Sequence, residues 1–170
     1  MNTFVLVKLI INAFMDKIHQ TGNMKLLSMH KTAFLCSRRV PDGAYLAIRE
    51  WVESLSPAGN CILCGDHSPM ERQVFGWLLR KRVPVILVLA ETFPMQWPPE
   101  VEQAIGEGRM LVVTHCDETV HRVTRQSAFD RNELLLSMAD DVVVGYARQG
   151  GNIESQVAGR SNVRCLVEDF

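Results

Sequence analysis

The sequence predicts an α/β fold: a doubly wound, mostly parallel sheet with helices on both faces. Three observations predict it. From Lys31 onward, apolar runs of strand length alternate with stretches whose apolar residues fall at helical spacing, the pattern of successive βα units. Pro84 to Ala90 is a continuous apolar run rich in β-branched residues, which suits a strand covered on both faces. Turn-forming clusters such as Pro41-Asp42-Gly43 and Pro57-Ala58-Gly59-Asn60 stand between the runs, where the chain must reverse.

Each element has its own signal. Thr32 to Cys36 is an apolar strand that ends at Ser37-Arg38-Arg39. Leu46, Ile48, Trp51, Val52 and Leu55 give helical spacing over Ala44 to Leu55. Cys61 to Cys64 is the second strand, and Gly65-Asp66-His67-Ser68-Pro69 is its exit loop. Ser68 can cap, and Pro69 can open, a helix from Met70 to about Arg82. After the strand over Pro84 to Ala90 comes a proline-rich loop, Glu91 to Pro99, then a short helix from Pro99 to Glu107. Met110 to Thr114 is the fourth strand, and His115 to about Ser127 reads as a polar connection. Arg131 to Ala139 is expected to be a helix and Asp141 to Gly145 the fifth strand. Gly150-Gly151-Asn152 opens a last helix to Ala158, and Val163 to Val167 is the sixth strand.

The 170 residues suit one domain, and an apolar fraction of 47% with 22% charged residues allows a real core. The formal net charge of -1 argues against coating nucleic acid by bulk electrostatics, while leaving room for a local basic face. The five cysteines are an odd number, best explained by free thiols in a reducing cytoplasm. Cys61 and Cys64 have CxxC spacing, but Ile62 and Leu63 between them read as strand and no second CxxC follows. No metal is therefore expected.

Residues 1–30 are read as an N-terminal extension, helical or disordered, before a domain over 31–170. Phe4 to Met15 is apolar except for Lys8 and Asn12. It lacks a clear signal-peptide pattern and is shorter than the roughly 20 apolar residues that cross a bilayer. The stretch is read as an appended helix or as sequence upstream of a start at Met24 or Met29. A cytoplasmic protein with no membrane partner is expected.

In an open α/β sheet, ligands bind outside the carboxyl ends of the strands. Ser37, Arg38 and Arg39 lie there, and a hydroxyl with two guanidiniums suits phosphate as readily as it makes a solvated loop. Gly65 allows a close backbone approach, and Asp66, His67 and Glu71 form a candidate acid/base set or ordinary loop polarity. Arg131-Asn132 is read at a helix start, where a cation is disfavoured unless an anion sits beside it. Gly150-Gly151 can offer backbone amides to an anion, or can simply turn the chain. His115 and Cys116 make an imaginable nucleophile pair without local activation. Phe93 and Trp97 can stack on a base or plug the sheet edge. No GxGxxG follows the first strand and no GxxxxGK[ST] occurs, so no nicotinamide or NTP cofactor is expected.

Four of these segments, in this order, resemble a known family. Cys36-Ser37-Arg38 parallels a Gly-Ser-Arg, and Gly65 with Met70-Glu71 parallels a Ser-Gly loop ending in Gly-Ile-Asp. Phe129-Asp130-Arg131-Asn132-Glu133 parallels Phe-Pro-x-Arg-Asn-Arg, and Gly150-Gly151-Asn152 parallels a Ser-Gly-Ser turn. From about Lys31 to Val167 the chain resembles the Rossmann-like domain of the DprA/Smf DNA-processing proteins. More widely it is similar to the superfamily that holds the LOG-type proteins. Glu133 stands where the family's second Arg stands, and Cys36 where its first Gly stands. The resemblance implies a non-enzymatic domain that binds single-stranded DNA or a nucleotide in DNA processing or uptake, with a recombinase partner and a homodimer. The candidate phosphate or nucleic-acid-binding residues are Ser37, Arg38, Arg39, Gly65, Glu71, Arg131, Asn132, Gly150 and Gly151, with Ser37, Arg38, Arg131 and the Gly150-Gly151 amides holding phosphate and Gly65 allowing close approach. The alternative is a LOG-like nucleotide hydrolase using Glu71 or Asp66, or a sensor of a nucleotide-derived ligand. The LOG signature Pro-Gly-Gly-x-Gly-Thr-x-x-Glu is absent.

Overall fold

A computed structural model describes residues 17–167; the apolar stretch Phe4 to Met15 lies outside them. The chain forms β1 (His19–Gly22), β2 (His30–Leu35), α1 (Asp42–Ser54), β3 (Asn60–Cys64), α2 (Pro69–Lys81), β4 (Val85–Leu89), α3 (Pro99–Gly106), β5 (Met110–Thr114), α4 (Arg125–Met138), β6 (Asp141–Val144), α5 (Asn152–Val157) and β7 (Val163–Cys165). A short 3-10 helix, Met24–Ser28, joins β1 to β2. The strands make one seven-stranded sheet in the order β1-β5-β4-β3-β2-β6-β7. Every pairing is parallel except β1 with β5. This is the doubly wound α/β architecture read from the sequence.

Alternate side chains of each strand feed two cores, as the two-residue strand period requires. Ile62 and Cys64 with Val85, Leu87 and Leu89 face the helices α1 to α3, which contribute Ile48, Trp51, Val74, Leu78 and Val101. Cys61 and Leu63 with Ile86 and Val88 face Leu134, Leu135 and Leu136 of α4 and Ile153 of α5. Phe34 stacks on Trp51 at 5.3 Å between ring centres and seats α1 on the first strand of the parallel set.

The order of strands creates a switch point. From β2 the chain steps through β3, β4 and β5 on one side. It then returns through α4 to place β6 against the other side of β2. Connections leaving β2 and β6 diverge there, at the strand ends where such sheets take ligands.

Two expectations change. His19–Gly22, read as part of an extension, is an edge strand whose pattern is largely exposed; without an apolar alternation it left no strand signal. Gly22 is essential to it: its φ is +113°, and a Cβ there would lie 2.3 Å from the Met110 carbonyl oxygen. The helix expected from Arg131 begins six residues earlier, at Arg125. Thr124 caps it by accepting from the Ser127 N–H, and Ser127 Oγ accepts in return from the Thr124 N–H. That box ends in Ser rather than the usual Glu or Gln, so the polar stretch concealed it.

Candidate functional site

The residues singled out from the sequence separate into two groups. One lies at the β2/β6 switch point. The other is spent inside the fold.

Ser37 lies at the switch point. Its N–H donates to the Tyr146 carbonyl at 2.8 Å, and its hydroxyl oxygen accepts from the Arg148 N–H at 2.8 Å. The side chain thus ties the exit loop of β2 to that of β6. Arg38 and Arg39 follow it, both exposed. Arg148 is exposed on the facing loop. None of the three forms an ion pair with another described residue. Three guanidiniums at one strand edge, without carboxylate partners among the described residues, concentrate positive potential locally, even in a chain of net charge -1. Arg148 was not singled out by the sequence. Its signal was a cation shortly after the fifth expected strand, parallel to Arg38 after the first.

Glu71, Arg131 and Asn132 are not at a surface. Glu71 and Arg131 are 3% and 4% exposed, and Asn132 is buried with them. Glu71 opens α2 as part of a capping box: its Oε2 accepts from the N–H groups of His67 and Ser68 at 3.0 and 2.9 Å. Its Oε1 accepts from Arg131 Nη2 at 2.7 Å. Arg131 Nε donates to Asn132 Oδ1 at 3.0 Å, and Asn132 Nδ2 donates to Gln156 Oε1 at 3.0 Å. Gln156 Nε2 donates onward to Glu133 Oε1 at 2.8 Å. One continuous chain of bonds therefore runs from α2, over the end of β3, to α4 and α5. It joins the helical layers on the two faces of the sheet.

This geometry corrects several expectations. Arg131 lies within α4, not at its start, so the dipole argument for an anion does not apply. Gly65 does admit a close approach, but the group approaching is Arg131: a Cβ on Gly65 would stand 1.4 Å from Arg131 Nη1. Glu133, which replaces a family arginine, has a partner in Gln156. Both amides expected to bind phosphate have acceptors already: Gly150 N–H donates to Glu154 Oε2 and Gly151 N–H to the Arg148 carbonyl, each at 2.9 Å. Both oxygens of Glu71 accept hydrogen bonds within the fold.

The remaining titratable groups sit along the ends of β3 to β5. Burial raises the Asp66 carboxyl above its ordinary range, and the neighbouring Glu71 carboxylate adds to the rise while Arg131 opposes it. Burial also raises the Cys116 thiol and lowers the His115 imidazole. Their Sγ and Nε2 lie 3.6 Å apart, but a thiol held protonated by burial is a poor nucleophile. Trp97 and Phe93 meet edge to face at 5.6 Å and pack against the core. Among the described residues no cluster of three metal-ligating side chains occurs, and no helix is long and apolar enough to cross a membrane.

The parallel sheet, the β2/β6 switch point and the helix layers define a Rossmann-like protein. Its fold is that of the DprA proteins. It superposes on DNA processing protein A from Helicobacter pylori, described for its single-stranded DNA binding mode, with a TM-score of 0.64 and 19% identity. That match covers 82% of this chain and 65% of the Helicobacter one. DprA from Streptococcus pneumoniae matches with a TM-score of 0.69 and 16% identity, over 87% of this chain and 54% of that one. This chain thus spans less than two thirds of either neighbour. No protein-family model matches the sequence, and no curated protein matches it.

Proposed function

We propose that this chain is a binding domain for single-stranded nucleic acid, with the phosphate backbone held across the β2/β6 switch point. The observation that carries the reading is the placement of Arg38, Arg39 and Arg148. They are exposed, without ion-pair partners among the described residues, and beside the switch point where such sheets take ligands. Ser37 holds the two loops at a fixed separation. The shared fold supports the reading, since the Helicobacter neighbour is described as binding single-stranded DNA.

Arg38, Arg39 and Arg148 neutralise phosphates, and Ser37 positions the loops rather than reading the ligand. Arg131, Asn132, Glu71 and Gly65 act one step back, by holding the ends of β3, α2 and α4 in register. A nucleotide is the smallest ligand this site would take by the same contacts. The assignments to DNA processing, a recombinase partner and a homodimer follow from the resemblance, and the cytoplasmic placement from the odd number of cysteines.

Titrating a fluorescent oligothymidylate by anisotropy tests the proposal. Binding is expected to weaken steeply between about 50 and 200 mM salt, as counterion release requires. The double variant Arg38→Ala/Arg148→Ala should lose most of the affinity while its melting temperature stays put. Wild-type affinity in that variant, or no binding by the wild type at low salt, would overturn the reading.

A further inference from the structure

A cavity lies away from the β2/β6 strand ends. Helix α2 packs on α1 but stands off α3. The gap between α2 and α3 is a groove of about 860 Å³, within the range of ligand pockets. Leu87 and Leu89 of β4 form its floor, with Phe75 and Val101 on the flanks and Trp97 at one lip.

Helix α2 departs from its most stable sequence at two places, and both line this groove. Gly76 lies in the helix interior, where alanine is the more stable choice. No neighbour requires the glycine: a Cβ there would meet only Arg80 Nη1, at an ordinary 3.7 Å. Arg82 caps the helix with φ +61°, and is the only non-glycine residue at positive φ among the described residues. Glycine is the favoured residue for that conformation. The helix thus omits a side chain where one would narrow the groove, and keeps a cation where a glycine would relieve strain.

The groove is also polarised. Asp66, Glu91 and Glu100 line the end near the strand carboxyl termini. At the other end, Arg82 Nη2 and Arg109 Nε donate to the same Glu107 oxygen, at 2.9 and 2.7 Å. Two guanidiniums share one carboxylate, so a positive charge is left over. Arg109 Nη1 is buried without an acceptor among the described residues, a costly arrangement for a charged donor.

We propose that this groove binds an amphiphilic monoanion, an acyl or aryl carboxylate. Its charged head sits at the Arg82 and Arg109 end, where two guanidiniums share one carboxylate. Its apolar body lies past Gly76 along Leu87 and Leu89 toward Trp97. The aliphatic floor of Leu87 and Leu89 suits such a body. The acidic far end sets its direction.

Titration calorimetry with decanoate, and with decanol as the uncharged analogue, tests this on the whole chain. Decanoate should bind saturably and decanol about tenfold more weakly, the loss expected for one charge-assisted hydrogen bond. Gly76→Ala should raise the melting temperature and keep decanoate binding, whereas Gly76→Leu should abolish it. Arg109→Met provides a test on a separate element, should Gly76→Leu fail to fold, and should weaken decanoate but not decanol. Absence of saturable decanoate binding, equal affinity for decanol, or wild-type affinity in folded Gly76→Leu would each overturn the proposal. Oligonucleotide binding at the β2/β6 switch point is a separate readout and should not change in these variants.

Discussion

Arg131 Nη2 reaches Glu71 Oε1 at 2.7 Å across the end of β3, through space that a side chain on Gly65 would fill. The ion pair therefore depends on a glycine that belongs to neither of its helices. Buried charge pairs need such additional support, because their attraction offsets the loss of hydration only when the geometry is well satisfied.

Removing one partner leaves the other charged and buried. Arg131→Ala and Glu71→Ala should each lower stability by about 3–5 kcal/mol, read from urea denaturation. Oligonucleotide affinity, measured under conditions where the variant is folded, should stay within a few-fold of wild type. A selective loss of affinity with unchanged stability would instead place Arg131 on the ligand.

Gly65→Ala should break the same pair by displacing the guanidinium, at a cost of about 3 kcal/mol or more. In an Arg131→Ala background the same substitution should cost far less, since the space is then vacant. A double-mutant cycle on the melting transition measures that coupling. Additive effects would show that Gly65 answers to something else.

Asp66 predicts a pH dependence of definite sign. Its folded-state pKa lies above its ordinary value of 3.8, from burial first and Glu71 second. Between the ordinary and the raised value the folded state holds a proton that the unfolded state has lost. This group therefore subtracts stability as pH rises through that window, and the loss is complete above it. Asp66→Asn should raise the melting temperature at pH 7 and leave it unchanged at a pH below 3.8. Scanning calorimetry at the two pH values checks the difference.

The switch-point arginines make the opposite prediction. Each of Arg38→Ala, Arg39→Ala and Arg148→Ala should change stability by no more than about 0.5 kcal/mol. Each should reduce the slope of log affinity against log salt by about 0.7, the contribution of one single-strand phosphate contact. Equal slopes in variant and wild type would remove that residue from the contact surface.

The sheet was legible because its signals are local. Cys61 to Cys64 and Pro84 to Ala90 are apolar runs between turns, and burial on both faces leaves no polar alternation in them. Ser68 and Pro69 announce the start of α2 in two residue types, and the structure adds Glu71 as the other half of a capping box. By contrast β1 is an exposed edge strand held by pairing with β5, a partner about ninety residues away in sequence. The start of α4 at Arg125 rested on a Thr-Ser box that carries little statistical weight.

The candidate site divides in the same way. Arg38 and Arg39 were placed by their position just after a strand, which the sequence alone determines along with the α/β class. Arg131, Asn132, Glu71 and Gly65 carry the residue types of an anion site, and sequence could not distinguish an external phosphate from an internal carboxylate. Only the tertiary structure decided that, by bringing α2 and α4 from opposite faces over the end of β3. The physical reason is that a guanidinium needs an acceptor wherever it is buried, and the chain supplies one sixty residues away. Local periodicity encodes elements; which charged groups meet is encoded by how the elements pack.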